Sequence, residues 1–257
     1  MEEFLITHLI LNNIKTKDIK KNKYLLFSSI GDNFDCMKWN SNSKLYDIIY
    51  IYYGNNVNNY NKYKKYCNFI SKNKGSKFQN LYFLYKNYKY ILDNYEYIFI
   101  LDGDLIISIE DINKMFNIIN DKHLYIIGPS FINNYNYKSN WHINKYNKYN
   151  QDLKYTNFVE VNAPLMKVNC LYNLFNNYDN NLIGWGIDFL YHIKNGVNLK
   201  DKYAIINIMC KNPTNNLDLH KNCNNYKNRC DYFKNYCKNN NIDLNYKIFP
   251  YKPIIYN

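Results

Sequence analysis

The chain has 257 residues, and its 33 basic against 21 acidic side chains give it a formal charge of +12. All of the basic residues except Arg229 are lysines, and the abundance of lysine, asparagine and tyrosine is typical of an AT-rich genome. Because arginine is the preferred reader of guanine edges and phosphate groups, this composition argues against specific nucleic-acid binding and leaves only nonspecific attraction to polyanions.

Length and hydropathy predict one soluble domain. We expect an N-terminal extension over residues 1–22 and a single α/β domain over residues 23–257 that includes a C-terminal helix, since no repeat or flexible linker divides the chain. The apolar runs are too short to cross a bilayer, and the first residues lack the positive charge of a signal peptide. Seven cysteines without close CxxC pairs suggest reduced thiols. These features predict an intracellular, cytoplasmic protein without a transmembrane segment.

The first part of the chain alternates strand and helix patterns. Apolar, aromatic-rich runs that end in turn-forming residues predict strands at 24–30 and 46–53. A helix is expected around Trp39, a short helix and a strand within residues 60–71, and a longer helix over 78–92. This alternation predicts a three-layer α/β/α fold around a mostly parallel sheet.

The next run, which begins at residue 97, ends in two aspartates, Asp102 and Asp104, with Gly103 between them. Its composition predicts a strand buried on both faces, and ligands of such sheets bind where the strands end. Two carboxylates so placed can offer oxygen ligands to Mn²⁺ or Mg²⁺ and leave positions for a substrate's phosphates. A plain Asp-Gly turn is the alternative. An EF-hand loop is excluded, because Ile106 and Ile107 would occupy its fifth and sixth positions.

The second half of the chain continues the α/β pattern. After an expected N-cap at Ser108, the patterns predict the following elements: helices near 109–119, 171–178 and 217–238, and strands at 124–127, 157–161 and 203–209. Residues 133–152, which are rich in asparagine, tyrosine and lysine, are expected to form a long loop.

A zinc cluster could be imagined near the C-terminus, from His220, Cys223, Cys230 and Cys237. The cysteines are spaced by seven, which places them two turns apart on one helix face and favours a packed stripe over a tetrahedral metal site.

A second group of residues with functional potential comprises Gly184, Trp185, Gly186 and Asp188. The glycines permit close backbone approach, the indole could stack on a sugar, and a carboxylate at a helix start could accept the proton of a hydroxyl group. The alternative is an aspartate that caps a helix beside a core tryptophan.

Together, the Asp-Gly-Asp turn and the later acidic residue resemble the GT-A glycosyltransferases. Six motifs also occur in the order seen in domain of unknown function 707, a GT-A-like group of plants, bacteria and large viruses: FSSIG at 27–31, YDIIYIYYG at 46–54, KGSKF at 74–78, the Asp-Gly-Asp turn, FVEVNAP at 158–164 and GWGID at 184–188. The resemblance covers about residues 23–215 and implies a GT-A-like, Rossmann-like fold. For a viral member, the expected location would be the host cytoplasm.

The resemblance also implies roles for individual residues. Asp102 would face the ribose and the metal, and Asp104 would ligate the metal. The donor would further contact Lys77, which could neutralise phosphate, and Ser29 and Gly31.

On the other side of the reacting bond, Asp188 would be the base of an inverting transfer. The acceptor would be lined by Trp185, Gly186, Glu160 and Asn162. The long loop at 133–152 would choose the acceptor.

One departure from the GT-A pattern concerns the metal. A late histidine often supplies a further ligand in GT-A chains, whereas residues 206–213 offer Lys211 instead. The Mn²⁺ or Mg²⁺ ion would then have fewer ligands, or His220 would substitute, or Lys211 would replace the cation.

The implied activity is transfer of a sugar from a nucleotide-diphosphate donor, in the first place a UDP-sugar, to a hydroxyl of a glycan, protein or lipid. A nucleotidyltransferase would need a glycine-rich basic loop after the first strand, where this chain has Gly31 followed by Asp32. The alternatives that stay open are a non-catalytic sugar-binding or structural paralogue of the same fold and a basic polyanion-binding module.

Overall fold

The computed structural model describes residues 22–137, 142–149, 152–197, 199–213, 228–242 and 255–256. Its strands are β1 (Tyr24–Ile30), β2 (Asp47–Tyr52), β3 (Phe69–Lys72), β4 (Tyr97–Asp102), β5 (Ile126–Phe131), β6 (Leu153–Thr156), β7 (Leu165–Lys167), β8 (Tyr203–Cys210) and β9 (Ile255–Tyr256). Its helices are α1 (Val57–Tyr63), α2 (Lys77–Leu92), α3 (Ile109–Asp121), α4 (Val168–Phe175), α5 (Ile187–Asn195) and α6 (Arg229–Asn239), with 3₁₀ turns at Lys64–Tyr66 and His142–Asn144. Residues 1–21 of the N-terminal extension lie outside the described residues, as do His220, Cys223 and residues 217–227 of the helix predicted at 217–238.

All of these strands belong to one sheet, in the order β3-β2-β1-β4-β7-β5-β8-β6-β9. The strands run in one direction except β6 and β7, which are antiparallel to their neighbours. The carboxyl ends of β1, β2 and β4 therefore meet at one edge of the sheet, where such sheets bind their ligands.

Each face of the sheet carries a hydrophobic core. Along β1, Leu25 and Phe27 face one core and Tyr24 and Leu26 the other, as the two-residue period of a strand requires. The first core is covered by residues of α2, α4, α5 and α6, and the second by residues of α1 and α3. Three layers around a mostly parallel sheet are thus confirmed.

The structure differs from several local predictions, including the strand at 157–161 that is described with the site. The expected helix around Trp39 is a series of turns, in which the buried Trp39 accepts a hydrogen bond at its backbone oxygen from the Tyr46 hydroxyl (2.9 Å). The strand predicted at 124–127 is β5, which starts later and passes through Pro129. The sheet tolerates this proline because the register with β8 shifts between Pro129 and Ser130.

None of the helices in the described ranges combines the length and the low polarity needed to span a bilayer.

Candidate active site

The carboxyl ends of β1 and β4 bring the first predicted site residues together. Ser29 and Asp102 are register partners on these adjacent strands. A Cβ atom on Gly103 would lie 3.2 Å from the Ser29 carbonyl oxygen, so the turn after β4 needs glycine to approach β1 this closely. A Cβ atom on Gly31 would lie 2.7 Å from the Tyr53 ring, so a larger residue there would require that ring to move.

Asp102 is tied to the start of helix α2. The Lys77 ammonium lies 3.0 Å from Asp102 Oδ1 and also donates hydrogen bonds to the carbonyl oxygens of Val161 (2.8 Å) and Asn162 (2.7 Å). Burial raises the pKa of Asp102, and the positive charge of Lys77 opposes this shift. Lys77 therefore contacts both the Asp-Gly-Asp turn and the 161–162 turn.

A second lysine, Lys38, which the sequence analysis did not identify, hydrogen-bonds to the backbone of the Asp-Gly-Asp turn. Lys38 Nζ donates to the carbonyl oxygens of Gly103 (2.5 Å) and Leu105 (2.9 Å) and lies 4.3 Å from the centre of the Trp39 ring. Burial lowers the pKa of Lys38 to about 8, although the nearby Asp104 acts in the opposite direction. The only sequence signal was a lysine beside a tryptophan, which is too common to assign a role.

The segment after the turn places Lys211 beside it. Ile106 and Lys211 exchange two backbone hydrogen bonds, of 3.0 and 2.9 Å. The Lys211 ammonium lies 5.6 Å from the centre of the Tyr137 ring. Lys211 is thus near the position at which a late metal ligand was expected, but the described contact of its side chain is with an aromatic ring.

Asp102 and Asp104 fit a divalent cation as a partial ligand set. Both are half-buried carboxylates at the end of a strand, and Mg²⁺ is commonly held by one or two carboxylates together with substrate phosphates and water. Within the described ranges, no three His, Cys, Asp or Glu side chains converge to form a fuller ligand set.

Residues 157–161, predicted as a strand, lie between β6 and β7 and belong to neither. The backbone polar groups of Val159 bond to side chains of helix α5: its amide donates to His192 Nε2 (2.8 Å), and its carbonyl accepts from the Tyr191 hydroxyl. The Val161 amide donates to Asp188 Oδ2 (3.4 Å), and its carbonyl accepts from Lys77. For the backbone groups of Val159 and Val161, side chains thus take the place of a neighbouring strand.

Asp188 lies in the first turn of α5 and is buried, with 6% of its surface exposed. Glu160, on the 157–161 segment, is equally buried. Burial, reinforced by the charge of Glu160, raises the pKa of Asp188 to about 7, against hydrogen bonds from the amides of Val161 and Phe189. Glu160 in turn accepts a hydrogen bond from Asn144 Nδ2 (2.9 Å), on the predicted 133–152 loop. A carboxylate with this pKa can exchange protons near neutral pH.

Trp185 is half-buried and lies beside the last helix. Its ring centre is 5.3 Å from that of Phe233 on α6, in an edge-to-face arrangement. Gly186 follows with a φ of +86°, and a Cβ atom there would lie 2.5 Å from the Phe233 ring. The glycine is therefore required by backbone conformation and by packing, and its predicted contact with an acceptor stays a prediction.

We expect Gly186→Ala to destabilise the protein by about 2–4 kcal/mol, because alanine is disfavoured at positive φ and would clash with Phe233. Gly184→Ala is the matched control: Gly184 has a φ of +65° with nothing within 4 Å of the added atom, so only the backbone cost of about 1–2 kcal/mol applies. Urea unfolding of both variants measures the difference. Equal losses would mean that the contact with Phe233 has no energetic weight.

No protein-family model matches the chain, and no curated protein matches it in sequence. Among solved structures, it is similar to GalNAc-T7 with UDP, GalNAc and Mn²⁺, with a TM-score of 0.56 and 11% identity over 84% of this chain and 48% of that one. It is also similar to S. aureus TarS, with a TM-score of 0.49 and 10% identity over 72% of this chain and 35% of that one. A shorter form of TarS in complex with UDP gives a TM-score of 0.48 and 10% identity over 72% of this chain and 58% of that one.

The chain thus spans between about a third and three fifths of the length of these proteins. The similarity to GalNAc-T7, a GT-A glycosyltransferase, concerns the fold and confirms the GT-A-like α/β class predicted from the sequence.

Proposed function

We propose that the protein transfers a sugar from a nucleotide-diphosphate donor, a UDP-sugar, to a hydroxyl group of a glycan, protein or lipid. One observation carries the proposal: a continuous series of contacts runs from Asp102 through Lys77 and Val161 to Asp188. This series of contacts supports one site that includes the carboxylates expected on the donor side and on the acceptor side. The narrower placement in domain of unknown function 707 stays a prediction.

On the donor side, Asp102 and Asp104 would hold Mn²⁺ or Mg²⁺. When bound, such a cation would stabilise the negative charge of the departing diphosphate. GalNAc-T7, which shares the fold, was solved with UDP and Mn²⁺, and this supports the choice of nucleotide and metal. Ser29 and Gly31, at the end of β1, would border the nucleotide beside Asp102.

On the acceptor side, Asp188 would accept the proton of the attacking hydroxyl. Its pKa of about 7 suits a general base at neutral pH. The half-buried Trp185 would offer a face for the acceptor sugar, with Glu160 and Asn162 nearby on the 159–162 segment. A base that deprotonates a hydroxyl attacking from the face opposite the diphosphate gives inversion at the sugar carbon.

A donor screen tests this proposal. We expect one nucleotide sugar to raise the melting temperature of the purified protein by several degrees with Mn²⁺ but not with EDTA, because binding to the folded state alone stabilises it. Asp104→Asn should remove this metal-dependent shift. Asp201→Asn is the control, since its side chain is 74% exposed beside Lys202, away from the turn.

The outcomes separate the alternatives. A shift with one donor, together with release of free nucleotide when an acceptor is added, would support a glycosyltransferase. A shift without any release would indicate a non-catalytic sugar-binding paralogue. No response to any donor, with or without metal, would contradict the proposal.

A further inference from the structure

Lys77 has an unusual environment for a lysine. It is the first residue of helix α2, where the positive end of the helix dipole disfavours a cation, and its side chain is only 7% exposed. A buried ammonium group is costly unless it is paired and hydrogen-bonded. The contacts of the Lys77 ammonium must therefore offset the cost of burying it at this position.

The contacts use the whole hydrogen-bonding capacity of the group. An ammonium has three N–H donors, and Lys77 has three acceptors within 3.0 Å: Asp102 Oδ1 and the carbonyl oxygens of Val161 and Asn162. A donor phosphate could bind Lys77 only by displacing one of these protein oxygens. The geometry thus favours a role within the protein over the phosphate contact implied by the sequence resemblance.

The two sides that Lys77 joins are the two sides of the proposed reaction. Asp102 ends β4, on the donor side. Val161 accepts from Lys77 at its carbonyl and donates to Asp188 at its amide, so a shift of this residue would move the contact of the base. Among the described residues, the 159–161 segment lies outside the strands, and the backbone groups of Val159 and Val161 bond to side chains.

We propose that Lys77 is a positioning residue that fixes the 161–162 turn, and through it Asp188, relative to Asp102. The inference rests on the proposed function and adds to it. Lys77 does not touch the reacting atoms; it sets the distance between the donor carboxylate and the base.

The first test uses the unaltered protein. Acetylation with N-acetoxysuccinimide, followed by mass spectrometry, reports how accessible each lysine is. We expect Lys77 to react at least about tenfold more slowly than the exposed Lys86 of the same helix, with or without UDP and Mn²⁺, because reaction of Lys77 requires local opening. Rapid labelling of Lys77 in the free protein that UDP suppresses would overturn the proposal in favour of a phosphate contact.

The second test uses Lys77→Met and Lys77→Arg. With the donor found in the screen, we expect kcat to fall by about 10–100-fold in both variants, since a small misplacement of a catalytic group has effects of this size. The affinity for UDP relative to uridine should not change. A phosphate contact predicts the reverse: a selective loss of UDP affinity in Lys77→Met and its recovery in Lys77→Arg, whose guanidinium also binds phosphate.

A double-mutant comparison separates positioning from a general structural effect. If Lys77 acts through Asp188, Lys77→Met should have almost no further effect on kcat in the Asp188→Asn background. If Lys77→Met lowered kcat by the same factor in the Asp188→Asn background as in the unaltered protein, the proposal would be contradicted. If the unaltered protein bound no nucleotide, the proposed function would fail, while slow acetylation would still support the structural link that Lys77 makes.

Discussion

Asp188→Asn is expected to lower the rate of sugar transfer by about 10²–10⁴-fold while leaving UDP affinity within about threefold of the unaltered protein. Asparagine has nearly the same shape and can still accept the hydrogen bond from Val161, but it cannot take up a proton. Because the base must be ionised, kcat of the unaltered protein should rise with pH up to about 7 and then level off.

The same substitution should change how stability depends on pH. The pKa of Asp188 in the folded protein is about 7, raised from an ordinary value of 3.8 by burial and by Glu160. The folded state therefore holds this proton more tightly than the unfolded chain. The resulting stabilisation is complete below about pH 4 and is lost as the pH rises towards 7.

Asparagine carries no ionisable group, so Asp188→Asn should escape this loss. We expect its free energy of unfolding at pH 8 to exceed that of the unaltered protein by about 2–4 kcal/mol, and the difference to disappear near pH 4. Urea unfolding at pH 4.5, 6 and 8 measures it. Asp201→Asn, which removes an exposed carboxylate, should follow the unaltered protein at every pH.

These two measurements test the base assignment independently. Transfer at the normal rate in Asp188→Asn would show that another group accepts the proton. A reduced rate without any pH-dependent gain in stability would mean that Asp188 is ionised throughout this pH range, and the pH dependence of kcat would then need a different group.

The strands that build the proposed donor side could be predicted from the sequence. The apolar runs of β1 and β4 are long, rich in β-branched and aromatic residues, and end in turn-forming residues. Because parallel strands end at the same edge of a sheet, the proximity of Ser29 and Asp102 followed from a correct strand assignment. Helix α2 was also predictable, from its position after the KGSKF motif and from the apolar positions along it.

The 157–161 segment shows where such reasoning fails. Its residues have the composition of a strand, but the backbone groups of Val159 and Val161 bond to side chains of α5 and to Lys77. Sequence pattern reports that a segment is extended and buried; it does not report whether a strand or a set of side chains satisfies the backbone. The effect of Glu160 on the pKa of Asp188 depends on the position of this same segment, so it could not be predicted from the sequence.

Lys38 was missed for a related reason. It lies 65 residues before Gly103 in sequence, and the two meet because β1 and β4 are neighbours in the sheet. The expected helix around Trp39 would have directed Lys38 elsewhere. The observed turns instead lay the lysine across the Trp39 ring and under the Asp-Gly-Asp turn.

Lys38→Met should therefore destabilise the protein by about 3 kcal/mol, since two hydrogen bonds from a charged donor are lost and the buried Leu105 carbonyl is left without this partner. Methionine matches the lysine side chain as far as Cε, so the aliphatic part of the side chain can keep its packing while the ammonium group is removed. Lys86→Met, an exposed position on α2, is the control and should change stability by less than about 0.5 kcal/mol.

Lys38→Met should also weaken the structure locally, around the Asp-Gly-Asp turn. The amide of Ile106 donates to the carbonyl of Lys211, and the amide of Lys211 donates to the carbonyl of Ile106. Both amides should exchange with solvent faster in Lys38→Met than in Lys86→Met. If both variants unfold at the same urea concentration and these amides keep their protection, the turn holds its shape without Lys38. The carboxylate of Asp104 would then be positioned only by the pairing of strand β4 and by the two backbone hydrogen bonds between Ile106 and Lys211. The Lys38 ammonium would only fill the space beside Trp39.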